Sequence, residues 1–308
     1  MIRVAAILYL MASPTLAEDL VPAVCGKVWD RLTSDIGAGL PVTGTATPTD
    51  RAGCLFTGLR LDLAGDYVPD WYVDRLYVDG SLPWLAGEAA PPDRLDVQAE
   101  GLRVVVQTGQ PQMDWLFDAQ SRPSAIDAKL SLAWDPVEKA LRLEGLSIDF
   151  PGDNLVQASA LVTGVDLSSV GAMQMSATSF AITEADLTLQ MHGLFEWYVL
   201  MAVGPAVLPI EGDMDAAAED LRAALLAAVA ELPATTVPEP SKSALVDLIN
   251  TLPNPWGKLE VALRSAAGIG PARLTPWVIT GIPASLAEAA PVLDGVQLDI
   301  RWTPTDAP

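Results

Sequence analysis

The stretch Ile126-Asp127-Ala128-Lys129-Leu130-Ser131-Leu132-Ala133-Trp134 decides the fold class of this 308-residue chain. Apolar side chains recur at every second position, and Asp127, Lys129 and Ser131 stand between them. Successive side chains of a β-strand point to opposite faces. The alternation therefore predicts a strand that is apolar on one face and polar on the other.

The same alternation recurs through most of the chain. The further runs that show it are Leu59–Leu63, Trp71–Val78, Leu95–Ala99, Leu141–Phe150, Leu155–Val165, Leu187–Met191, Lys258–Arg264, Leu274–Thr280 and Val296–Trp302. A six-residue pattern that begins with Gly-Leu recurs in this region, at Gly58, Gly101 and Gly145, at intervals of 43 and 44 residues. A glycine inside a long extended run predicts a bulge or a sharp bend.

Helical periodicity lies on both sides of this strand-rich region. Val21 to Leu32 repeats apolar residues at three- and four-residue steps, whereas residues 37–48 read as a loop. After Gly193 we expect helices capped by Asp213 and Ser241, and a short helix at 283–289.

We therefore expect an α+β protein. Its centre is a large curved antiparallel β-sheet, a long-strand meander, with an N-terminal helix and a C-terminal-half helical layer that packs over one face. Residues 18–192 would hold the N-terminal helix and the meander. Residues 193–308 would add the helices and the closing strands. The two ranges would form either two units or one continuous domain.

The first residues of the chain predict export. Arg3 precedes the apolar run Val4–Ala12, Ser13-Pro14 breaks that run, and small residues reach Ala17. Nine apolar residues are too few to cross a bilayer, so the pattern is typical of a secretory signal peptide. We expect a signal peptide at residues 1–17, cleavage after Ala17, a periplasmic or secreted protein, and no certain transmembrane segment.

Two cysteines, Cys25 and Cys54, follow the expected cleavage site. In an oxidising compartment an isolated pair predicts a disulfide. Closing a loop of about 28 residues contributes on the order of 3–4 kcal/mol in the chain-entropy model. Because Cys25 falls on the apolar side of the N-terminal helix and Cys54 opens a strand, the bridge would fasten the helix to the sheet.

Charge and motifs limit the classes of function. The formal net charge of −21 disfavours nucleic acid and anionic headgroups as partners. The single histidine, His192, is insufficient for a histidine-based metal site, and no GxSxG, SxxK or HExxH motif occurs. Gly268-Ile269-Gly270-Pro271 fails as a phosphate loop because Pro271 lacks an amide N–H and we expect no helix behind it. We expect no catalytic residue, cofactor or metal ion.

The segment from Leu194 to Ile210 differs from the rest of the chain. It is apolar on all sides and carries one charge, on Glu196. Such a helix is normally buried in a core or in a membrane. Core burial is the preferred interpretation, and contact with a membrane interface or an apolar ligand is the alternative. The candidate apolar surface for a ligand or partner consists of Leu194, Trp197, Tyr198 and Met201.

The long alternating strands from Gly53 to Met191, with their recurrent Gly-Leu starts, resemble those of AsmA-like envelope proteins of Gram-negative bacteria. The resemblance covers about half the chain and carries no diagnostic motif. It implies a β-rich envelope protein that presents an apolar groove to lipids. AsmA-like proteins usually keep an N-terminal anchor, where this chain has an expected cleavable leader.

We expect a non-enzymatic exported cell-envelope protein that binds or scaffolds, and that holds a lipid or acyl chain on a concave apolar sheet face. One alternative is a structural module that binds an envelope protein and has no ligand cavity. The other is a hydrolase that uses carboxylates alone on envelope polysaccharide, which requires two acidic groups roughly 5–10 Å apart in one cleft.

Overall fold

The structure is a computed structural model that describes residues 20–35, 41–49, 53–63, 65, 68–80, 82–87, 91, 93–280 and 292–306. The expected signal peptide at 1–17 and the expected short helix at 283–289 lie outside these residues.

Ten strands form one antiparallel sheet, in which each strand pairs with its neighbours in sequence order. The strands are β1 (Val42–Pro48), β2 (Cys54–Leu61), β3 (Pro69–Asp79), β4 (Arg94–Val106), β5 (Ile126–Asp135), β6 (Ala140–Phe150), β7 (Asn154–Thr163), β8 (Ala181–His192), β9 (Trp256–Ile269) and β10 (Val296–Pro304). The α+β class with a large antiparallel sheet is confirmed. Since β9 and β10 continue this sheet, residues 193–308 share it with residues 18–192.

Helices connect or flank the strands. They are α1 (Leu20–Asp35), α2 (Leu82–Leu85), α3 (Pro111–Ser121), α4 (Val170–Ser179), α5 (Leu200–Val207), α6 (Met214–Glu231), α7 (Glu239–Thr251) and α8 (Pro271–Thr280). A π-helical turn, Phe195–Val199, precedes α5. Among the described residues, the main helix–sheet contacts join α1 to β1, α3 to β4, and α7 to β10. The helices therefore pack mostly near the edge strands β1 and β10 and beside β4.

The three glycines of the Gly-Leu pattern all lie at bulges, as the sequence predicts. The register shifts by one residue at Gly58 in β2, at Gly101 in β4 and beside Gly145 in β6. Gly58 and Gly101 have φ of +61° and +72°, a region that side chains with a Cβ disfavour. A bulge bends its strand and increases the local twist, so the sheet bends at these positions.

The N-terminal helix closes a compact core over the first four strands. Cys25 in α1 and Cys54 in β2 form the expected disulfide, with 5.7 Å between their Cα atoms. Phe56 and Val78 are buried beneath α1, and the Trp29 ring stacks on the Phe56 ring at 6.1 Å. The bridge thus fastens the helix to the sheet.

Three local predictions are wrong. Residues 42–48 of the expected loop form β1, an edge strand that tolerates Pro48 because its outer side needs no ladder bond. Residues 274–280 belong to helix α8 instead of a strand, and Pro271 occupies the first turn, where proline is favoured. Ser241 does not cap a helix: its Oγ accepts a hydrogen bond from the Ile300 backbone N–H at 2.9 Å.

Helix α8 also corrects the argument about Gly268 and Gly270, since a helix does follow this turn. A Cβ on Gly270 would lie 1.9 Å from the Phe180 carbonyl oxygen, and one on Gly268 would lie 2.5 Å from the Ala181 Cβ. The two glycines are therefore explained by the close approach of β9 to the start of β8.

Candidate functional site

The polar face of the sheet forms a wide groove. Its volume is about 990 Å³, and it is lined from β3 to β8 mainly by carboxylates, hydroxyls and amides, with Tyr77 and Lys129 among them. The groove therefore contains the kind of acidic residues that a carboxylate hydrolase would need.

One guanidinium engages two carboxylates in this groove. Arg94 lies 2.7 Å from Asp96 and 2.9 Å from Glu144, and it donates to Ser131 Oγ at 3.0 Å. The hydrogen bond from Arg94 holds the pKa of Asp96 below its ordinary value. A general acid needs a raised pKa, and this pairing has the opposite effect.

The opposite face of the sheet is apolar along continuous cross-strand rows. One row passes through β4 to β10, and each member is paired with the next: Val97, Leu130, Leu146, Ala158, Leu187, Val261 and Ile300. At the usual strand spacing of about 4.8 Å, this row is about 29 Å long. The same row continues through Val78 and Cys54 into the core under α1.

Burial changes along this row. Cys54 and Val78 are buried, whereas Leu130, Leu146 and Leu187 are only half-buried, as is every other apolar member from β4 to β10. In the two flanking rows Leu143, Ile148, Leu189 and Leu259 are half-buried as well. We call the apolar side of β4–β10 the open apolar face. A contiguous apolar surface of this extent is unusual on a soluble monomer and is typical of a binding surface.

An apolar cleft lies at one end of the open apolar face. We call this the basal end, where β4, β6 and β8 finish and β3, β5 and β7 begin. The cleft has a volume of about 550 Å³, and its lining includes Trp71, Leu102 and Ile126 from the sheet, Phe117 from α3 and Tyr198 from the π-helical turn. Partial burial raises the pKa of the Tyr198 hydroxyl.

Helix α3 is held against β4 by a partly buried ion pair, in which the Arg103 side chain is 8% exposed and that of Asp118 is 24% exposed. The Arg103 guanidinium donates to Asp118 of α3 at 3.0 Å and to Asp74 of β3 at 2.6 Å. Burial acts to raise the pKa of Asp118, but hydrogen bonds from Arg122 and Arg103 hold it below its ordinary value. Because Arg103 is the buried member, loss of its carboxylate partners would leave a poorly solvated charge beside β4. The wall that Phe117 contributes to the cleft is therefore fixed in place.

Asn154 fixes the start of the apolar segment. Its Oδ1 accepts from the His192 backbone N–H at 2.6 Å, and its Nδ2 donates to the His192 and Pro151 carbonyl oxygens. The His192 ring stacks on Trp256 at 5.0 Å. These contacts join the ends of β6, β7, β8 and β9 just before residue 194. The His192 ring thus packs against its neighbours in this junction.

The four residues of the predicted apolar surface are placed differently from one another. Leu194 is buried, whereas Trp197, Tyr198 and Met201 are 80%, 41% and 75% exposed. The preferred interpretation of the segment from Leu194 to Ile210 as core is therefore wrong for Trp197, Tyr198 and Met201. Tyr198 packs on Phe150, with 4.8 Å between ring centroids, and so connects the segment to the open apolar face. Sequence reasoning missed α3 and Phe117, because residues 111–121 show only a weak apolar periodicity.

Comparisons with known proteins supply no relative. No protein-family model matches the chain, and a search of the curated proteins found no match. In the described part of the chain no helix is long and apolar enough to cross a membrane. Within the same residues, no three His, Cys, Asp or Glu side chains are grouped closely enough to hold a metal ion.

Proposed function

We propose that this is a non-enzymatic, exported cell-envelope protein that binds a lipid or another acyl chain on its open apolar face. The observation that carries the proposal is the half-buried row from Val97 to Ile300. The hydrocarbon of one bilayer leaflet occupies about 15 Å, half of a core of about 30 Å. A row of about 29 Å therefore has room for an extended acyl chain.

Apolar walls at one end of the face and covered strands on both sides support the proposal. The cleft between Phe117 and Tyr198 provides apolar walls at the basal end, and the core under α1 limits the face at β4. On the far side, α7 and the turn before it cover the outer edge of β10. Leu298 N–H donates to the Thr236 carbonyl oxygen in that turn at 2.7 Å, and Ile300 N–H donates to Ser241 Oγ of α7 at 2.9 Å. The disulfide and the leader pattern support export.

The two alternatives gain less support. A protein-partner module without a cavity would enclose Trp197, Tyr198 and Met201 in side chains, but all three are exposed. A carboxylate hydrolase would need a protonated acid in the polar groove, but Arg94 stabilises the ionised form of Asp96.

Titration of the purified protein with a dansyl-labelled fatty acid tests the proposal, with neighbouring residues of β6 as a matched pair. Leu146 lies in the apolar row opposite Leu130, whereas Ser147 lies opposite Lys129, so its side chain belongs to the polar face. We expect saturable binding that Leu146→Gln weakens about tenfold, since about 1.4 kcal/mol of apolar contact would be lost. Ser147→Gln introduces the same side chain on the other face and should change the affinity less than about twofold.

The result that contradicts the proposal is equally specific. If the protein neither binds the probe nor retains any lipid on purification, the open apolar face does not hold acyl chains. Equal effects of the two variants would place the probe elsewhere.

A further inference from the structure

In the part of the chain that the structure describes, most of the exposed large apolar side chains lie at the basal end. Among the described residues, all but four of the large apolar side chains with high exposure belong to β3, β4, α3 or residues 194–210; the exceptions are Val137, Met175, Met214 and Leu225. Trp115 and Leu116 of α3 are 66% and 45% exposed, and Ile210 is 99% exposed. Because β4 ends and β8 ends at the same edge of the sheet, α3 and α5 project from one end.

Helix α5 is apolar all round and yet exposed. Met201 is exposed on one side of it, Val203 and Val207, four residues apart, are exposed on another, and Gly204 is its only buried residue. A groove on a partner protein accepts one face of a helix, whereas a membrane accepts all of them. With 8 residues, α5 is about 12 Å long, which fits within one leaflet and cannot span the bilayer.

The charges around α5 favour a membrane surface without net negative charge. Glu196 is the only charged residue from Leu194 to Ile210, and its Oε2 is shielded from solvent. Carboxylates of Glu211, Asp213 and Asp215 follow immediately and are exposed. Anionic headgroups would be repelled, whereas net-neutral phospholipid would accept the uncharged segment, with Trp197 and Tyr198 at the headgroup level.

We propose that the basal end, through α5 and α3, docks on the surface of a membrane rich in net-neutral phospholipid. The inference rests on the proposed function in that the docked membrane is the source of the acyl ligand. Tyr198 makes the connection, because it belongs to the exposed segment and lines the cleft that opens onto the apolar face.

Vesicle flotation with two methionine variants tests the docking. Met201 and Met175 are 75% and 72% exposed, but Met175 lies in α4, at the opposite end of the sheet. The protein should float with phosphatidylcholine vesicles, Met201→Ser should lower the partition coefficient at least about tenfold, and Met175→Ser less than about twofold. Adding phosphatidylglycerol should reduce binding in low salt, and higher salt should restore it. Both variants change exposed side chains, so circular dichroism should show unchanged folds.

Three outcomes would overturn the docking: no flotation, better binding to anionic than to neutral vesicles, or equal losses in the two variants. Dansyl fatty-acid binding in vesicle-free buffer separates the two proposals. A protein that binds the probe but does not float refutes the docking alone. A protein that floats without binding the probe refutes the proposed function and leaves the docking surface standing.

Discussion

Burial of the same cross-strand row differs between two regions of this molecule. Under α1, Cys54 and Val78 are buried in a closed core. A few strands away, Leu146 and Leu187 continue the row with the same alternation and the same pairing, but they are only half-buried. The strands do not differ in pattern. They differ in whether a helix lies over them.

This difference shows that alternation creates an apolar face without creating a core. The core forms where a second layer covers the face, and here the disulfide fastens that layer to the sheet. Over β5–β9, the described helices provide no comparable cover. An apolar ligand could therefore reach these strands without any unfolding of the closed part.

Removal of the disulfide should have the largest effect on the closed part. The bridge joins residues 29 positions apart, so replacing Cys25 and Cys54 by Ser should lower the free energy of unfolding by about 3.5 kcal/mol in the chain-entropy model. Denaturant titration followed by circular dichroism measures this. The reducing agent dithiothreitol should reproduce the loss in the native protein and have no effect on the double variant.

The same double variant also separates the two regions. If the open apolar face is independent of the closed core, the folded fraction should keep its affinity for the dansyl fatty acid. A loss of affinity that matches the loss of stability would show that α1 also organises the ligand surface, and the contrast between the regions would fail.

Two valines of the same row give a smaller and more direct comparison. Val78 is 6% exposed under α1, and Val261 in β9 is half-buried on the open face. Val78→Ala should cost about 2 kcal/mol of unfolding free energy, from lost transfer energy and a cavity. Val261→Ala should cost about 1 kcal/mol or less, because little additional surface is exposed.

The difference between the two valine variants is informative because both lose the same strand propensity. Denaturant midpoints at constant slope measure it. Equal losses would mean that the open face is covered as completely as the core, which would contradict the basis of the proposed ligand surface.

Much of the fold follows from the sequence because period-two alternation is a local property. The strands at 126–134 and 141–150, the glycine bulges and helix α1 all rest on short-range patterns. Helix α8 was predicted to be a strand, since Leu274 to Thr280 is too short for its period to decide between the two. Strand β1 was missed because its threonines and glycine match a loop, and its pairing with β2 overrides that preference.

The candidate site was harder to predict. The sequence indicated an unusual segment at 194–210, but exposure is decided by which elements cover it, and that is a long-range property. Trp197 could be core or surface on the same pattern. Phe117 joins the cleft only because Arg103 and Asp118 hold α3 beside β4, and no local signal marks that pair.

The smallest predicted effect concerns the loops that connect the uncovered strands. At the end opposite the basal end, Lys139 lies 3.0 Å from Asp166, Val165 N–H donates to the Lys139 carbonyl oxygen at 2.8 Å, and Trp134 Nε1 donates to the Val165 carbonyl oxygen at 3.0 Å. Hydrogen bonds from the Ser168 hydroxyl and then from Lys139 lower the pKa of Asp166 to about 2. Polar contacts between loops thus connect strands that none of the described helices covers.

Protonation of Asp166 should loosen these loops. Its folded pKa is about 2, below the value of about 3.9 for an unfolded chain, so the unfolded state binds more protons between these values. The stabilising contribution is therefore complete above pH 4 and is lost as the pH falls from about 4 to about 2. Carboxyl ¹³C NMR titration should show Ser168→Ala raising the pKa of Asp166 more than Lys139→Gln, because the serine bond is the stronger cause. A pKa of Asp166 that neither variant changes would mean that these loops are not joined in solution, and the open strands would then depend on their ladder hydrogen bonds alone.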